Sequence, residues 1–359
     1  MADLAGRDEI LAPLVREVSH VTVPETVPLG LAASFDELVG IIERAKLNAY
    51  RAVNRELIGM YWDIGQYISA SLRSGTWGEG VIQQFSEYVQ RLFPGIQGFS
   101  ASNVWRMRQF YDLYSTNEKL APLVREIPWT HNLIIMSMVK TDEAKEFYLR
   151  QCANEHWSKR DLERQIDSML FERIALSTEK HQLLIEQRPQ LSVLRDSYSL
   201  EFLELPEEHC EIDLRRAIIT HLKQFILEFG RDFTYVGEEY RVQVGLSDFP
   251  IDLLLYHRGL ACLVAIELKR GKFKPEHLGQ LSFYLEALDR DVRKGNENPS
   301  VGLILCQDKD DTVVEYAMSR TLSPAMVAEY QLHLPDKQML EAKLRELAQA
   351  GELSGDDVG

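Results

Sequence analysis

Basic charge is what this chain of 359 residues has least of: 40 Lys and Arg stand against 55 Asp and Glu, a formal net charge of −15. That balance excludes a protein that coats nucleic acid through a broad basic surface, because such binding rests on patches of Lys and Arg. It leaves room for a local site. Cysteine is also scarce. Cys152, Cys210, Cys262 and Cys306 are scattered with no paired spacing, which argues against a zinc motif or a disulfide framework and reads as reduced thiols. No apolar run approaches the roughly 20 residues that span a bilayer. The start, Met1 to Glu9, is acidic and lacks the basic and apolar regions of a signal peptide, so a cytoplasmic protein without membrane contact is expected. No glycine loop of the phosphate-cradling kind occurs, and ATP-driven movement would need a partner. His131, beside Trp129, has no Ser or Cys nucleophile pattern to serve.

What is present is a change of periodicity along the chain. Residues 1–33, with Pro13, Pro24 and Pro28, read as a flexible arm. From 34 to 173 the apolar spacing is helical, as in Leu57, Tyr61, Ile64 and Ile68. Ser34-Phe-Asp-Glu37 has the form of a helix start, Ser100 can cap a helix running to Tyr114, and Ser158 to about Gln187 reads as one long helix. Residues 174–208 form a connecting helix and linker. Residues 209–335 then read as helix (Ile212–Gly230), three strands (Tyr235–Val244, Phe249–His257, Leu260–Lys269), helix (Pro275 to about Leu288) and strand (Ser300–Cys306). Residues 336–359 are an amphipathic helix and an acidic tail, and self-association into a homo-oligomer is expected. The five tryptophans, Trp62, Trp77, Trp105, Trp129 and Trp157, are expected in the core. The fold class is α+β: an all-α N-terminal domain followed by an α/β domain of αβββαβ order with a mixed sheet.

Two adjacent strand-like runs carry charges where charge is normally excluded. Phe249-Pro-Ile-Asp-Leu-Leu-Leu-Tyr256 holds Asp252, and Leu263-Val-Ala-Ile-Glu-Leu-Lys269 holds Glu267 and Lys269. An unpaired buried charge is costly, so something must compensate these three. Arg258-Gly259 suits a two-residue hairpin, which sets Asp252 opposite Ala265 and diagonal to Glu267, with Ala265, Glu267 and Lys269 on one face. Two carboxylates so placed can hold one hard cation, Mg²⁺ or Mn²⁺, of the kind phosphodiester hydrolysis requires. Lys269 would orient the attacking water or stabilise the pentavalent phosphorus. Gln280 and Tyr284, four apart on one helix, would support the lysine or touch a nucleic acid backbone. Lys272 and Lys274 would neutralise phosphates. Arg106 and Arg108 lie on the Ser100–Tyr114 helix, a candidate recognition helix in a helix-turn-helix-like unit that binds DNA or a partner.

Asp252 followed by Glu267-Leu-Lys269 and Gln280 resembles a PD-(D/E)XK nuclease core, in wording close to the bacterial YhcG-like family. The likeness extends to Gly271-Lys-Phe-Lys-Pro275, Phe283-Tyr284-Leu285 and Gly302-Leu-Ile-Leu-Cys306. In the first half it extends to Tyr61-Trp-Asp-Ile-Gly65, Trp77-Gly78, Phe93-Pro94-Gly95, Trp105-Arg-Met-Arg-Gln-Phe110 and Pro128-Trp-Thr-His131. The resemblance implies a metal-dependent DNA endonuclease with Asp252, Glu267 and Lys269 catalytic and Gln280 in support. It also implies DNA as partner, and restriction-modification or other genome-defence proteins as associates. Many superfamily members add an acid from the preceding helix, for which Glu211, Asp213 and Glu228 are candidates. The family pattern places a Glu near Arg215; this chain departs there, which leaves a second metal position open. The alternative function is a non-cleaving DNA-binding or adaptor protein that keeps the nuclease fold as scaffold.

Overall fold

The structure is a computed structural model, and it describes residues 29–344 except 79, 178–183, 207, 320 and 322, with side chains from residue 38 on. The expected arm at 1–33 and the acidic tail lie largely outside the described residues. The chain divides into a unit ending at Gly59 and one running from Met60 onward. In the first unit the described residues are helical and belong to α1, which spans Leu29–Arg73. Ser34 is therefore inside a helix and not at its start.

The second unit opens with helices. They are α2 (Val81–Leu92), α3 (Ala101–Tyr114), α4 (Leu120–Leu123), α5 (Trp129–Met138), α6 (Asp142–Glu155), α7 (Lys159–Asp167) and α8 (Leu170–Ala175). Ser100 caps α3 as its sequence position suggests, accepting from Asn103 N at 3.4 Å. The long helix expected from Ser158 is instead broken after Asp167, where Met169 takes φ 52°, a left-handed turn that redirects the chain into α8. Four of the five tryptophans are wholly or partly buried. Trp105 is not: it is 41% exposed on α3, with the Arg108 guanidinium 5.1 Å above its ring. Close packing of α1 on α3 depends on Gly65, since a Cβ there would lie 2.2 Å from the Met107 carbonyl oxygen. Gly65→Ala is therefore expected to destabilise the protein by about 1–3 kcal/mol in urea denaturation despite its better helix propensity. Gly59→Ala in the same helix, with nothing within 4 Å of its Cβ, should be neutral or stabilising.

A six-stranded sheet of order β1-β6-β5-β4-β3-β2 forms the rest. Its strands are β1 (Ser197–Ser199), β2 (Phe233–Val244), β3 (Ser247–His257), β4 (Cys262–Lys272), β5 (Val301–Asp308) and β6 (Ala325–Gln331). Strands β2, β3 and β4 form an antiparallel meander, while β4, β5, β6 and β1 pair in parallel. Parallel neighbours need a crossover, supplied by α11 (Glu276–Ala287) between β4 and β5 and by α12 (Asp311–Met318) between β5 and β6. The two terminal strands of the parallel half extend the expected αβββαβ order; β1 lies within the stretch expected to be linker. The helix expected over 212–230 is two, α9 (Glu211–Thr220) and α10 (Leu222–Phe229), divided at His221.

The sheet is covered on both faces, which is why β4 and β5 read as near-continuous apolar runs. On one face Leu253, Val264, Ile266, Leu268 and Leu303 pack with Leu214, Ile218, Phe225 and Phe229 of α9 and α10. On the other, Leu254, Ala265 and Ile304 pack with Leu278, Leu281 and Leu285 of α11.

The meander departs from its expected register. His257 pairs with Cys262 and Leu253 with Ile266, so the β3–β4 loop has four residues, Arg258 to Ala261, and not two. His257 Nδ1 accepts from Leu260 N at 3.0 Å, and Ala261 takes φ 47°. This buried histidine at the end of β3 thus holds the longer turn by bonding back to its third residue. One further step along this register would set Asp252 across from Glu267 and not diagonal to it, but the ladder ends at Leu253 and Ile266.

Candidate active site

The site forms where β3 and β4 part, beside the start of α9. The paired ladder has its last recorded step at Leu253 and Ile266, and the Asp252 side chain continues it: Oδ2 accepts from Leu268 N at 2.9 Å. Oδ1 accepts from Arg215 Nη1, also at 2.9 Å, and the other arm of that guanidinium reaches Glu239 Oε1 at 2.6 Å. Two carboxylates from neighbouring strands thus converge on one arginine of α9.

Glu267 projects from β4 and is 3% exposed. Its Oε1 accepts from Lys269 Nζ at 2.8 Å, as alternation along a strand requires for residues two apart. Its Oε2 is buried without a hydrogen-bond partner. Burial first, and the neighbouring Asp252 charge second, push the Glu267 carboxyl up to about 7, against the pull of Lys269. Burial acts against the charge on Lys269, but the Glu267 hydrogen bond and charge outweigh it and hold the ammonium above its ordinary pKa. Lys269 is accordingly a cation and a hydrogen-bond donor, not a base. Glu211, at the first turn of α9, approaches Lys269 Nζ at 3.8 Å and accepts from Arg270 N at 3.2 Å.

Of the three helix acids proposed from sequence, the structure brings Glu211 to the site. Asp213 instead accepts from Cys210 N at 3.0 Å and caps α9. Glu228 is spent elsewhere, in a buried cluster with Arg164, Arg173 and Arg195. Gln280 donates to the Tyr284 hydroxyl at 2.8 Å, and burial raises the Tyr284 pKa, with Glu267 and Asp252 adding to it. Tyr284 packs from α11 against the sheet face that carries Ala265 and Ile304. Burial first, and the Lys269 charge second, lower the pKa of His277, one turn before Gln280.

Three of the four basic residues expected to contact phosphate are paired with acids other than Asp252 and Glu267. Lys272 approaches Asp308 at 3.9 Å and Asp310 at 4.0 Å, and Lys274 approaches Glu276 at 3.8 Å. Arg108 on α3 pairs with Asp112 at 3.1 Å, and Arg106 beside it is exposed. Sequence reasoning missed Arg215, Glu239 and His277. The spacing of Glu211 and Arg215, one helical turn apart, could have revealed the arginine. Nothing in the pattern of β2 marks Glu239, an exposed residue at φ 43°.

A divalent cation fits the donors at one point. Glu267 Oε2 is an orphaned buried carboxylate oxygen, and an unmet charge of that kind is what a hard cation relieves. Among the described residues no three His, Cys, Asp or Glu side chains are grouped so as to hold an ion by themselves. Mg²⁺ is commonly bound through one or two carboxylates, with water and phosphate completing its shell, and Asp252 and Glu267 are the residues that would hold it. The centre is reachable: the Lys269, Asp252 and Arg215 side chains are 13%, 17% and 16% exposed.

A mixed sheet flanked by helices, with an aspartate and a Glu-x-Lys on adjacent strands, defines a nuclease fold of the PD-(D/E)XK class. Residues 191–345 match the model of the YhcG PDDEXK nuclease domain, and residues 37–173 match that of the DUF1016 N-terminal domain. The chain is 30% identical to the Escherichia coli (strain K12) protein called "Putative nuclease YhcG" over 361 residues, spanning 90% of this chain and 96% of that one. It belongs to the YhcG-like family of PD-(D/E)XK nucleases. Two solved structures also align with part of it. One is a repair endonuclease from Pyrococcus abyssi (15% identity, 36% of this chain and 50% of that one, TM-score 0.26). The other is EndoMS in apo form (16% identity, 37% and 49%, TM-score 0.24). The family assignment does not rest on either. No helix among the described residues is long and apolar enough to cross a membrane.

Proposed function

We propose that this protein is a divalent-metal-dependent DNA endonuclease whose centre is Asp252, Glu267 and Lys269, with Gln280 and Tyr284 in support. The observation that carries this reading is the Glu267 carboxylate: buried, one oxygen held by Lys269, the other with no partner. Asp252 and Glu267 would hold Mg²⁺ or Mn²⁺, which supplies charge neutralisation at phosphate and acidification of water. The chain's own residues do the rest. Leu268 N and Arg215 lock the orientation of Asp252 before substrate arrives, so little reorganisation remains. Lys269, kept protonated by Glu267, is placed to donate to a phosphoryl oxygen or to the attacking water. Tyr284, held by Gln280, closes the α11 side of the centre. Lys272, Lys274 and the exposed Arg106 are proposed phosphate contacts, with Arg108 available when it leaves Asp112. The helical part over 34–173 is proposed to bring DNA or a partner to residues 209–335, and a role in genome defence follows the family.

One observation favours a second reading, a non-cleaving adaptor: Asp252 already has a cation in Arg215. Incubation with plasmid, linear and branched DNA plus Mg²⁺ or Mn²⁺ separates the two. Cleavage is expected, with Lys269→Ala reducing it about 10²–10³-fold at an unchanged circular dichroism spectrum. Intact DNA in every reaction sinks the hydrolytic reading.

A further inference from the structure

Arg215 occupies a place in this centre that a cation of another kind could take. Its Nη1 and Nη2 bind Asp252 Oδ1 at 2.9 Å and Glu239 Oε1 at 2.6 Å, so those two oxygens are aimed at one point of positive charge. Glu267 Oε2 is buried and served by neither Arg215 nor Lys269, which binds Oε1 instead. The charges give the same division. Asp252, Glu239, Glu267 and Glu211 are four carboxylates against two cations, Arg215 and Lys269. The remainder equals one divalent ion.

We infer that Arg215 is a resident cation that stands in for a second metal ion, so that the centre takes one divalent ion, on the Glu267 side of Asp252. This rests on the proposed metal-dependent function and sets its stoichiometry. Arg215 is a positioning residue: its fixed planar fork holds Asp252 toward the open side, and its charge repels any ion from the Asp252–Glu239 side. A divalent ion entering there would have to displace a guanidinium that is 16% exposed and doubly hydrogen-bonded.

The test counts bound Mn²⁺ on the full chain stripped with EDTA, by calorimetry and by electron paramagnetic resonance. Wild type is expected to bind one ion. Arg215→Ala and Arg215→Gln should bind two and tighten the first by about tenfold, Arg215→Lys should stay at one, and Arg215→Ala with Glu239→Ala should return to one. Two ions in wild type overturn the inference while leaving the hydrolytic reading intact. One ion in both wild type and the Ala and Gln variants also overturns it, because Arg215 then excludes nothing. No binding by wild type removes the metal-dependent reading and the inference with it. If neither neutral variant folds, a wild-type count of two ions still overturns the inference.

Discussion

Glu267→Gln is expected to lose DNA cleavage by roughly three orders of magnitude and, in EDTA at pH 8, to melt at a higher temperature than wild type. The two effects share a cause. The carboxylate is buried, and its pKa is raised to about 7, so the folded protein binds a proton that the unfolded chain has already released. A raised acid contributes stability that is complete below the unfolded pKa and is lost as pH rises through the folded one. Wild type without metal should therefore weaken between about pH 4.5 and 7. The glutamine keeps the shape and cannot ionise, so it should avoid a loss on the order of 2–3 kcal/mol above pH 7. The difference should fade toward pH 5. Saturating Mn²⁺ should narrow it from the other direction by stabilising only the protein that can bind it. Thermal melts at pH 5 and pH 8, with and without Mn²⁺, check this. Equal or lower stability of the variant at pH 8 in EDTA would contradict the burial argument.

Glu228→Ala is expected to be the most destabilising single change considered, by about 3–5 kcal/mol. Glu228 on α10 is fully buried. It meets Arg173 of α8 at 3.1 Å, Arg164 of α7 at 3.3 Å and Arg195 at 3.9 Å, and it accepts from Ser199 N of β1 at 2.9 Å. Burial would push its carboxyl up, but Arg173, Arg195 and Arg164 outweigh burial and hold it below the ordinary value. Alanine leaves a cluster of arginines with no counter-charge at their centre and a backbone N–H unsatisfied. Glutamine keeps an acceptor for Ser199 and should cost less. Because the pKa is depressed, the stabilisation is present at neutral pH and is lost as pH falls through the folded value. Urea midpoints at pH 7 for wild type, Glu228→Gln and Glu228→Ala should fall in that order. A midpoint for alanine equal to wild type would show that the cluster carries no net stability.

The core of the site was legible because charge in an apolar strand is physically anomalous, and Asp252, Glu267 and Lys269 are anomalous together. Strands β2 to β5 were legible for the complementary reason: long apolar runs covered on both faces leave a strong composition signal. Strand β1 was not, since Ser197-Tyr-Ser199 is too short and polar to show a period; it is defined by pairing with β6 more than 120 residues later. The hairpin register was misread because Arg258-Gly259 has the chemistry of a two-residue turn. Local chemistry could not show that His257 would bond back to Leu260 N and lengthen it. Arg215 is the clearest case of a residue whose role is non-local: in α9 it reads as an ordinary helical arginine, and only folding brings Asp252 and Glu239 to it.

One consequence concerns Cys210, the residue before Glu211. It is exposed, whereas Cys152, Cys262 and Cys306 are buried, with thiols pushed by burial to about 12, 11 and 12. Solvent-accessible thiol chemistry is thereby confined to a single sulfur, next in sequence to Glu211. A maleimide fluorophore would install itself there without engineering, turning the native chain into its own optical gauge of whatever arrives beside Lys269.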